Sequence, residues 1–304
     1  MNISRKFKQT MINVWNDKGK TWLLELPERI KYFTNKWQLQ NLKPFENLTY
    51  SYVISAYSAL YKTPVVLKMM LSHQELFDEQ KALEYYNGRG CVKLLASDID
   101  KGAILIEEIV PGTPLSTLFP INDDKATAIA IEIIKGLHQS PILIREVANF
   151  PSISNWLSLL DHFNDSKIPG DSLKNAQTLS KFLLSTQGDL CVLHGDLHHQ
   201  NILLDNHREW IVIDPKGIVG ELAFEAGTFL RNPFLCLLEQ PNAHEVINNR
   251  LHLLAGGLQI DYGRLLDWGY VQTVLAACWT IEDNLGNADD FLKMIKLFEK
   301  IKAF

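Results

Sequence analysis

At 304 residues the chain exceeds the size at which a single hydrophobic core usually stops growing, so two lobes are expected. It is 46% hydrophobic and 21% charged, with a formal net charge of −5 and no dense Lys/Arg block, which argues against nucleic acid or an anionic membrane as the main partner. No apolar run reaches transmembrane length, the basic start MNISRKFKQTMINVWNDKGK lacks the apolar core of a signal peptide, and Cys91, Cys191, Cys236 and Cys278 form no CxxC pair, so a cytoplasmic protein with reduced thiols is expected.

Residues 1–40 read as helical, with Leu23, Leu24, Leu26 and Ile30 set among charges. The stretch 48–70, LTYSYVISAYSALYKTPVVLKMM, is rich in Tyr, Val, Ser and Thr and reads as two strands joined by a turn. In SHQELFDEQKALEYYNGRG, Ser72 is an N-cap with Glu75 three residues on, and Gly88 and Gly90 end the helix. CVKLLASDIDKGAILIEEI reads as two more strands around an Asp-Lys-Gly turn, and VPGTPL then breaks both composition and direction. Beyond it helices are expected at about 122–139, 152–164, 172–187, 221–239, 243–256, 262–285 and 288–302, with short strands returning only at 191–214. The layout is a small sheet-rich lobe, a connector at about 107–113 and a larger helical lobe.

The segment VLHGDLHHQNILLD, 192–205, sets three histidines, Asp196, Gln200 and Asn201 between apolar flanks. With the following residues it reads as a loop, a strand at 202–204, a polar turn and a second strand at 210–213. Asp196 and Asn201 fall on the entering loop, and Asp214 stands just past the last strand, before Pro215. A carboxylate leaving an apolar strand needs a cation or hydrogen-bond donors. Two carboxylates and one amide oxygen suit a hard divalent ion that keeps waters and substrate phosphates in its shell.

A lysine for phosphates is then needed, since no GxxxxGK[ST] loop occurs. Lys68 in TPVVLKMM sits among apolar residues and requires a counter-charge, for which the next helix offers Glu75, Glu79 and Glu84, Glu79 being central. The ordered set Lys68, Glu79, Asp196, Asn201 and Asp214 matches the parts list of kinase-type phosphoryl transfer.

HGDLHHQNILLD followed by IDPKGIVGELAFEAGTFLRNP resembles the aminoglycoside phosphotransferase branch of the kinase fold. The pattern DPKG, GE, LRNP, with NGRGCVKLL, ILIEEIVPGTPL and CWTIEDN, more narrowly resembles the aminoglycoside/hydroxyurea antibiotic-resistance kinases, a group that includes streptomycin 6-phosphotransferases. The likeness runs from about residue 36 to 285. It implies an α+β, protein-kinase-like two-lobe fold: an antiparallel-sheet N-lobe over 1–108 with N-terminal helices, and a mostly helical C-lobe over 109–304. It further implies an ATP- and Mg2+-dependent O-phosphotransferase acting on a small-molecule hydroxyl, monomeric or weakly dimeric.

On that resemblance Asp196 orients the acceptor hydroxyl and takes its proton, Asn201 and Asp214 hold the metal, and Lys68, paired with Glu79, holds phosphates. His194 holds the loop, His199 packs, and His198 stands where protein kinases commonly carry a lysine near the transferred phosphate. Glu107 to Val110 match the hinge, with the backbone of Glu107 and Ile109 offered to the adenine edge. The phosphate-covering turn falls in FENLTYSYV, which has no glycine; Asn47, Thr49 and Ser51 are its candidates. Glu225 stands where the group often shows Asp, and either pairs with Arg231 or bears on the acceptor. A cationic aminocyclitol of the streptomycin type is the favoured acceptor, with Glu221, Glu225, Glu282 and Asp283 as carboxylates and Trp156 and Trp279 as stacking faces, although helix-surface charges and core aromatics would look the same. The alternatives are a sugar or metabolite kinase without a resistance role, a non-catalytic nucleotide-binding module, and a metal-dependent hydrolase using His194, Asp196, His198 and His199.

Overall fold

The computed structural model describes residues 3–46, 48–138, 149–284 and 286–302. The chain divides into two compact units, Met1–Ile109 with Asp283–Leu285, and Val110–Glu282 with Gly286–Phe304.

The first unit opens with α1 (Arg5–Lys36), whose N-cap Ser4 accepts from the Phe7 N–H at 3.2 Å. Asn16 leaves helical geometry (φ 50°, ψ −124°) and kinks it. Gly19 packs against the turn before the kink: a Cβ there would lie 2.1 Å from the Met11 carbonyl oxygen, so only glycine fits. Five strands follow, β1 (Leu39–Pro44), β2 (Ser51–Ser58), β3 (Thr63–Met70), β4 (Leu94–Asp98) and β5 (Ala103–Glu107), in the order β1-β2-β3-β5-β4 and antiparallel throughout. Between β3 and β4 runs α2 (His73–Tyr86), begun by Ser72, whose Oγ accepts from the Glu75 N–H, and ended by Asn87 in the left-handed region.

Strand alternation decides what this sheet does. Tyr52, Ile54 and Ala56 of β2 and Val65, Leu67 and Met69 of β3 share one face, which packs on Phe7, Met11, Trp22, Leu26, Ile30 and Phe33 of α1. Lys68 is thereby directed to the opposite face. The helical reading of 1–40 runs into the first two residues of β1, Leu39 and Gln40, and leaves the rest of β1 without assignment. β1 is an edge strand with only Leu39 buried, so its sequence carries no apolar alternation.

The second unit holds β6 (Pro111–Pro114), β8 (Ile202–Asp205) and β9 (Trp210–Val212) in one small antiparallel sheet, and β7 (Leu190–Leu193) paired with β10 (Ile218–Glu221) in another. Its helices are α3 (Asp123–Leu137), α4 (Ile153–His162), α5 (Gly170–Ser185), α6 (Leu222–Leu230), α7 (Phe234–Leu238), α8 (Ala243–Leu258), α9 (Tyr262–Glu282) and α10 (Ala288–Lys302). The helix read over 221–239 is two helices, because Pro233 cannot continue the first. VPGTPL, read only as a break, contributes β6, whose prolines suit a short edge strand. Among the described residues no helix is long and apolar enough to cross a membrane.

Candidate active site

The loop 194–201 joins β7 to β8, and the pairing of β7 with β10 fixes its entry. Gly195 adopts φ +82°, and a Cβ there would meet Ile218 at 2.8 Å and the Trp156 ring at 3.3 Å. His194 fixes the next turn. Its Nδ1 accepts from the Asp196 N–H at 3.2 Å, so the proton sits on Nε2, 2.8 Å from the Ile213 carbonyl oxygen. Burial holds the His194 pKa below its ordinary value, against the pull of Glu225 and Asp196.

Asn201 Nδ2 donates to the Asp196 carbonyl at 2.9 Å and lies 3.5 Å from Asp196 Oδ2. With the amide nitrogen so engaged, Asn201 Oδ1 faces the other way. The Ile213 N–H donates to the Asn201 carbonyl at 2.9 Å, so Ile213 is clamped through both its backbone groups. Asp214 follows with φ +66°, in the left-handed region that Asp enters more readily than most non-glycine residues. The Asp196 and Asp214 side chains are 33% and 34% exposed. Lys216 Nζ stands 3.4 Å from Asp214 Oδ2, and the Lys216 N–H donates to the His194 carbonyl at 2.7 Å.

Beneath the loop Glu225 is fully buried on α6. Its carboxylate accepts from the backbone N–H of His194 (2.6 Å) and of Gly195 (3.0 Å), with His138 Nε2 at 3.7 Å. Arg231 instead donates to Gly227, Thr228 and Gln272. Burial pushes the Arg231 pKa down to about 10, opposed by the Asp196 charge, and the group stays cationic at neutral pH. His198 Nδ1 accepts from the Gln200 N–H at 3.2 Å, and its Nε2 lies 3.8 Å from Asp196 Oδ1. His199 is buried, stacked on Phe229 (4.1 Å between centroids, 14°), with Nε2 3.5 Å from Arg250. Arg250 forms a two-pronged pair with Asp123 at 2.8 and 2.6 Å and donates to the carbonyls of Phe229, Leu230 and Asn232.

His194 and His198 both touch Asp196, at its N–H and at its carboxylate, while His199 packs apart from them on Phe229. Among the described residues no three His, Cys, Asp or Glu side chains are grouped as a metal site.

In the first unit Lys68 Nζ lies 2.8 and 2.7 Å from the two Glu79 oxygens, and the two residues are only 5% and 4% exposed. Glu84 accepts instead from Gln80 on its own helix. Ser51 opens β2 opposite Met70, and Glu107 ends β5 opposite Val65, with Ile109 half-buried just beyond. Thr49 is exposed, and Asn47 lies outside the described residues. Tyr50 in the same turn sets its ring edge-on to Trp15 (5.9 Å, 87°) and donates its hydroxyl to Asp283 at 2.7 Å.

The acceptor candidates divide. Glu221 and Glu225 are placed otherwise than as acceptor-facing carboxylates. Both are buried, Glu221 accepting from Arg264 (2.9 and 2.7 Å) and Trp268, Glu225 from the loop backbone. Asp283 accepts from Tyr50, and Glu282 is exposed. Trp156 lies beside Gly195 and packs edge-on against Trp279 (5.4 Å, 84°). Sequence reasoning missed Lys216, and the two N–H donors of Glu225. The only signals were the DPKG run itself and an acidic residue within an otherwise apolar helix.

A family model described as aminoglycoside/hydroxyurea antibiotic resistance kinase matches residues 37–284. The chain belongs to that family. This kinase is 26% identical over 279 residues to the streptomycin 6-kinase of Streptomyces griseus, covering 88% of this chain and 87% of that one. It is 27% identical over 276 residues to the hydroxyurea phosphotransferase of Kitasatospora aureofaciens, covering 87% and 76%. Over 220 residues it is 28% identical to the streptomycin 3''-kinase of Klebsiella pneumoniae, covering 70% and 80%. In structure the kinase is similar to choline kinase LicA from Streptococcus pneumoniae (TM-score 0.67, 15% identity, 91% of this chain and 99% of that one). It is equally similar to a thermostable mutant of aminoglycoside phosphotransferase APH(4)-Ia in ternary complex with ADP and hygromycin B (TM-score 0.67, 12% identity, 89% and 96%). The fold is thus the kinase-like α+β fold, an antiparallel-sheet lobe and a helical lobe.

Proposed function

We propose that this kinase is an ATP- and Mg2+-dependent O-phosphotransferase whose acceptor is a cationic, hydroxyl-bearing aminocyclitol of the streptomycin type. The observation that carries the reaction type is the clamped loop that sets Asp196 beside Asn201 and Asp214. In the transfer the acceptor oxygen bonds to the γ-phosphorus of ATP while the bond to the β–γ bridging oxygen breaks. The hydroxyl proton passes to the Asp196 carboxylate, and ADP leaves. Asn201, bonded to the Asp196 carbonyl, keeps the carboxylate in register. Neutral His198, with Nε2 facing Asp196, orients it from the other side.

Residues 1–108 form the lobe that contributes Lys68 to the nucleotide phosphates, its ammonium held by Glu79. The hinge backbone at Glu107 and Ile109 and the Ser51 hydroxyl belong to the same nucleotide role, and residues 109–304 supply the catalytic loop. The donor set fits a hard cation: the Asn201 amide oxygen, just before β8, and the part-exposed Asp214 carboxylate, just after β9, would both offer oxygen at the same end of the hairpin. Mg2+ held there would offset the charge of the phosphates.

The acceptor class rests on the streptomycin kinases among the relatives. Of the carboxylates read from the sequence, exposed Glu282 remains available to a cation, and Trp156 supplies an aromatic face beside the loop. The deciding experiment is an acceptor screen with labelled ATP, comparing streptomycin, hydroxyurea, hygromycin B and choline, with Asp196→Ala as control. We expect streptomycin to be labelled and Asp196→Ala, still folded, to lose about two or more decades in kcat. Near-normal turnover by folded Asp196→Ala would sink the reaction assignment. Labelling of another alcohol alone would leave a kinase without the aminocyclitol role.

A further inference from the structure

The run DPKG contains a cation that none of the roles above uses. Lys216 follows Pro215, whose ring fixes φ, and precedes Gly217, which takes φ +62° and turns the chain. Its N–H donates to the His194 carbonyl at 2.7 Å, and its Cβ lies 3.3 Å from the position a Cβ would occupy on Gly195. The base of the side chain is thus anchored to the loop that carries Asp196.

The far end faces Asp214. Nζ is 3.4 Å from Asp214 Oδ2, longer than the roughly 2.7–2.9 Å of a close charge-assisted hydrogen bond, and the side chain is 39% exposed. Of the arginines near the loop, Arg231 donates to Gly227, Thr228 and Gln272, and Arg250 is paired with Asp123 and donates to three backbone carbonyls. His198 accepts the Gln200 N–H at Nδ1 and so carries no proton there, which makes it a neutral ring rather than a cation. Phosphoryl transfer spreads negative charge over the oxygens of the group in flight, and lysine or arginine clamps are a recurrent answer to it.

We propose that Lys216 is a catalytic residue: its ammonium leaves Asp214 for the oxygens of the phosphoryl group being transferred and neutralises the charge that builds there. This rests on the kinase reading and names the group that stabilises its transition state. No bond to Lys216 forms or breaks; the lysine stays protonated, the proton of the acceptor goes to Asp196, and ADP departs. A long flexible stem on a rigid base suits a charge that must move a short way between two carriers.

The test compares wild type with Lys216→Met, which keeps the aliphatic contact near Gly195, and Lys216→Arg, which keeps the charge. Thermal unfolding checks that each variant folds. Lys216→Met should lower kcat about 100-fold or more, as removal of one transition-state donor does, while KM for ATP moves less than about threefold. Calorimetric titration supplies a readout apart from turnover. Mg-ADP should bind wild type and Lys216→Met alike, whereas Mg-ADP with aluminium fluoride, which mimics the transferred group, should lose affinity in Lys216→Met by a factor of the same order as kcat. Lys216→Arg should recover most of both. Turnover of Lys216→Met within about threefold of wild type would overturn the inference, as would equal loss of Mg-ADP and aluminium fluoride affinity, which would make Lys216 a support for Asp214. A wild type that binds Mg-ADP but phosphorylates no acceptor overturns the kinase reading itself, a result separate from an active wild type with active Lys216→Met.

Discussion

Glu225 shows how little a residue's type says about its task. It is an acid in an apolar helix, yet its charge is taken up by two backbone N–H groups that hold the turn carrying Asp196. Glu225→Ala would leave both N–H groups buried without partners, at about 1–3 kcal/mol each, and free the turn to move. We expect a lower melting temperature together with a lower kcat, measured side by side; full kcat in a destabilised Glu225→Ala would separate the loop from the chemistry. The Lys68–Glu79 pair asks for a different control. Removing one partner of a buried pair costs about 3–5 kcal/mol because the other is left charged and alone. Lys68→Met should therefore destabilise the protein, and Lys68→Met with Glu79→Leu should regain stability but not activity. A double variant that regains turnover would show that Lys68 has no part in phosphate handling. For Asp214→Asn, which keeps shape and loses charge, the expected change is a higher Mg2+ concentration for half-maximal activity; an unaltered requirement would put the metal elsewhere.

At the scale of elements, the sequence was readable where burial imposes a period. β2 and β3 alternate, α2 has its cap, and the strands flanking the turn at 206–209 stand out because an apolar run is cut by polar residues. β1 and β6 were not readable. Both are edge strands, β1 exposing four of its six residues and β6 burying none of its four, so no burial pattern is written into them. The same logic governs the site. Lys68 could be picked out because a charge inside an apolar strand is costly, and Asp196, Asn201 and Asp214 because they interrupt apolar flanks. Glu221 and Glu225 could not be told from solvent-facing acids, since their partners are backbone N–H groups and side chains about 30 to 47 positions away in sequence. Gly195 belongs to this scale as well. Gly195→Ala forces a left-handed residue into Ile218 and Trp156, and should cost both stability and turnover more than Gly188→Ala, where a Cβ meets nothing within 4 Å. Equal behaviour of the two variants would show that the loop gives way easily.

For the molecule as a whole, pH is the simplest lever on the loop. His194, His198 and His199 all have pKa values held below the ordinary value of 6.5, in each case chiefly by burial. An unfolded chain takes up protons at these rings as pH falls through about 6.5, while the folded chain does not follow until lower pH. Their contribution to stability is therefore complete above about 6.5 and declines as pH falls below it. Melting temperatures measured from pH 7.5 down to 5.5 should drop across that interval, and a His199→Gln variant should show a shallower drop. A flat profile would mean that the rings are protonated in the folded protein too.

The bond from Tyr50 to Asp283 has a consequence for how the chain is made. The first unit is not a continuous stretch of polypeptide: its turn between β1 and β2 finds a partner in a residue that follows α9. During synthesis the sheet and α1 emerge early, but Tyr50 must wait for nearly all of the second unit before Asp283 exists to receive its hydroxyl. Until then Tyr50 lacks that bond, while its ring can already meet Trp15. A nascent chain stalled before residue 283 should therefore show faster amide exchange in that turn than the finished protein, and Asp283→Ala in the finished protein should reproduce the same looseness. Slow exchange in the stalled chain would mean that the turn is set by its own neighbours, and that the late arrival adds nothing to it.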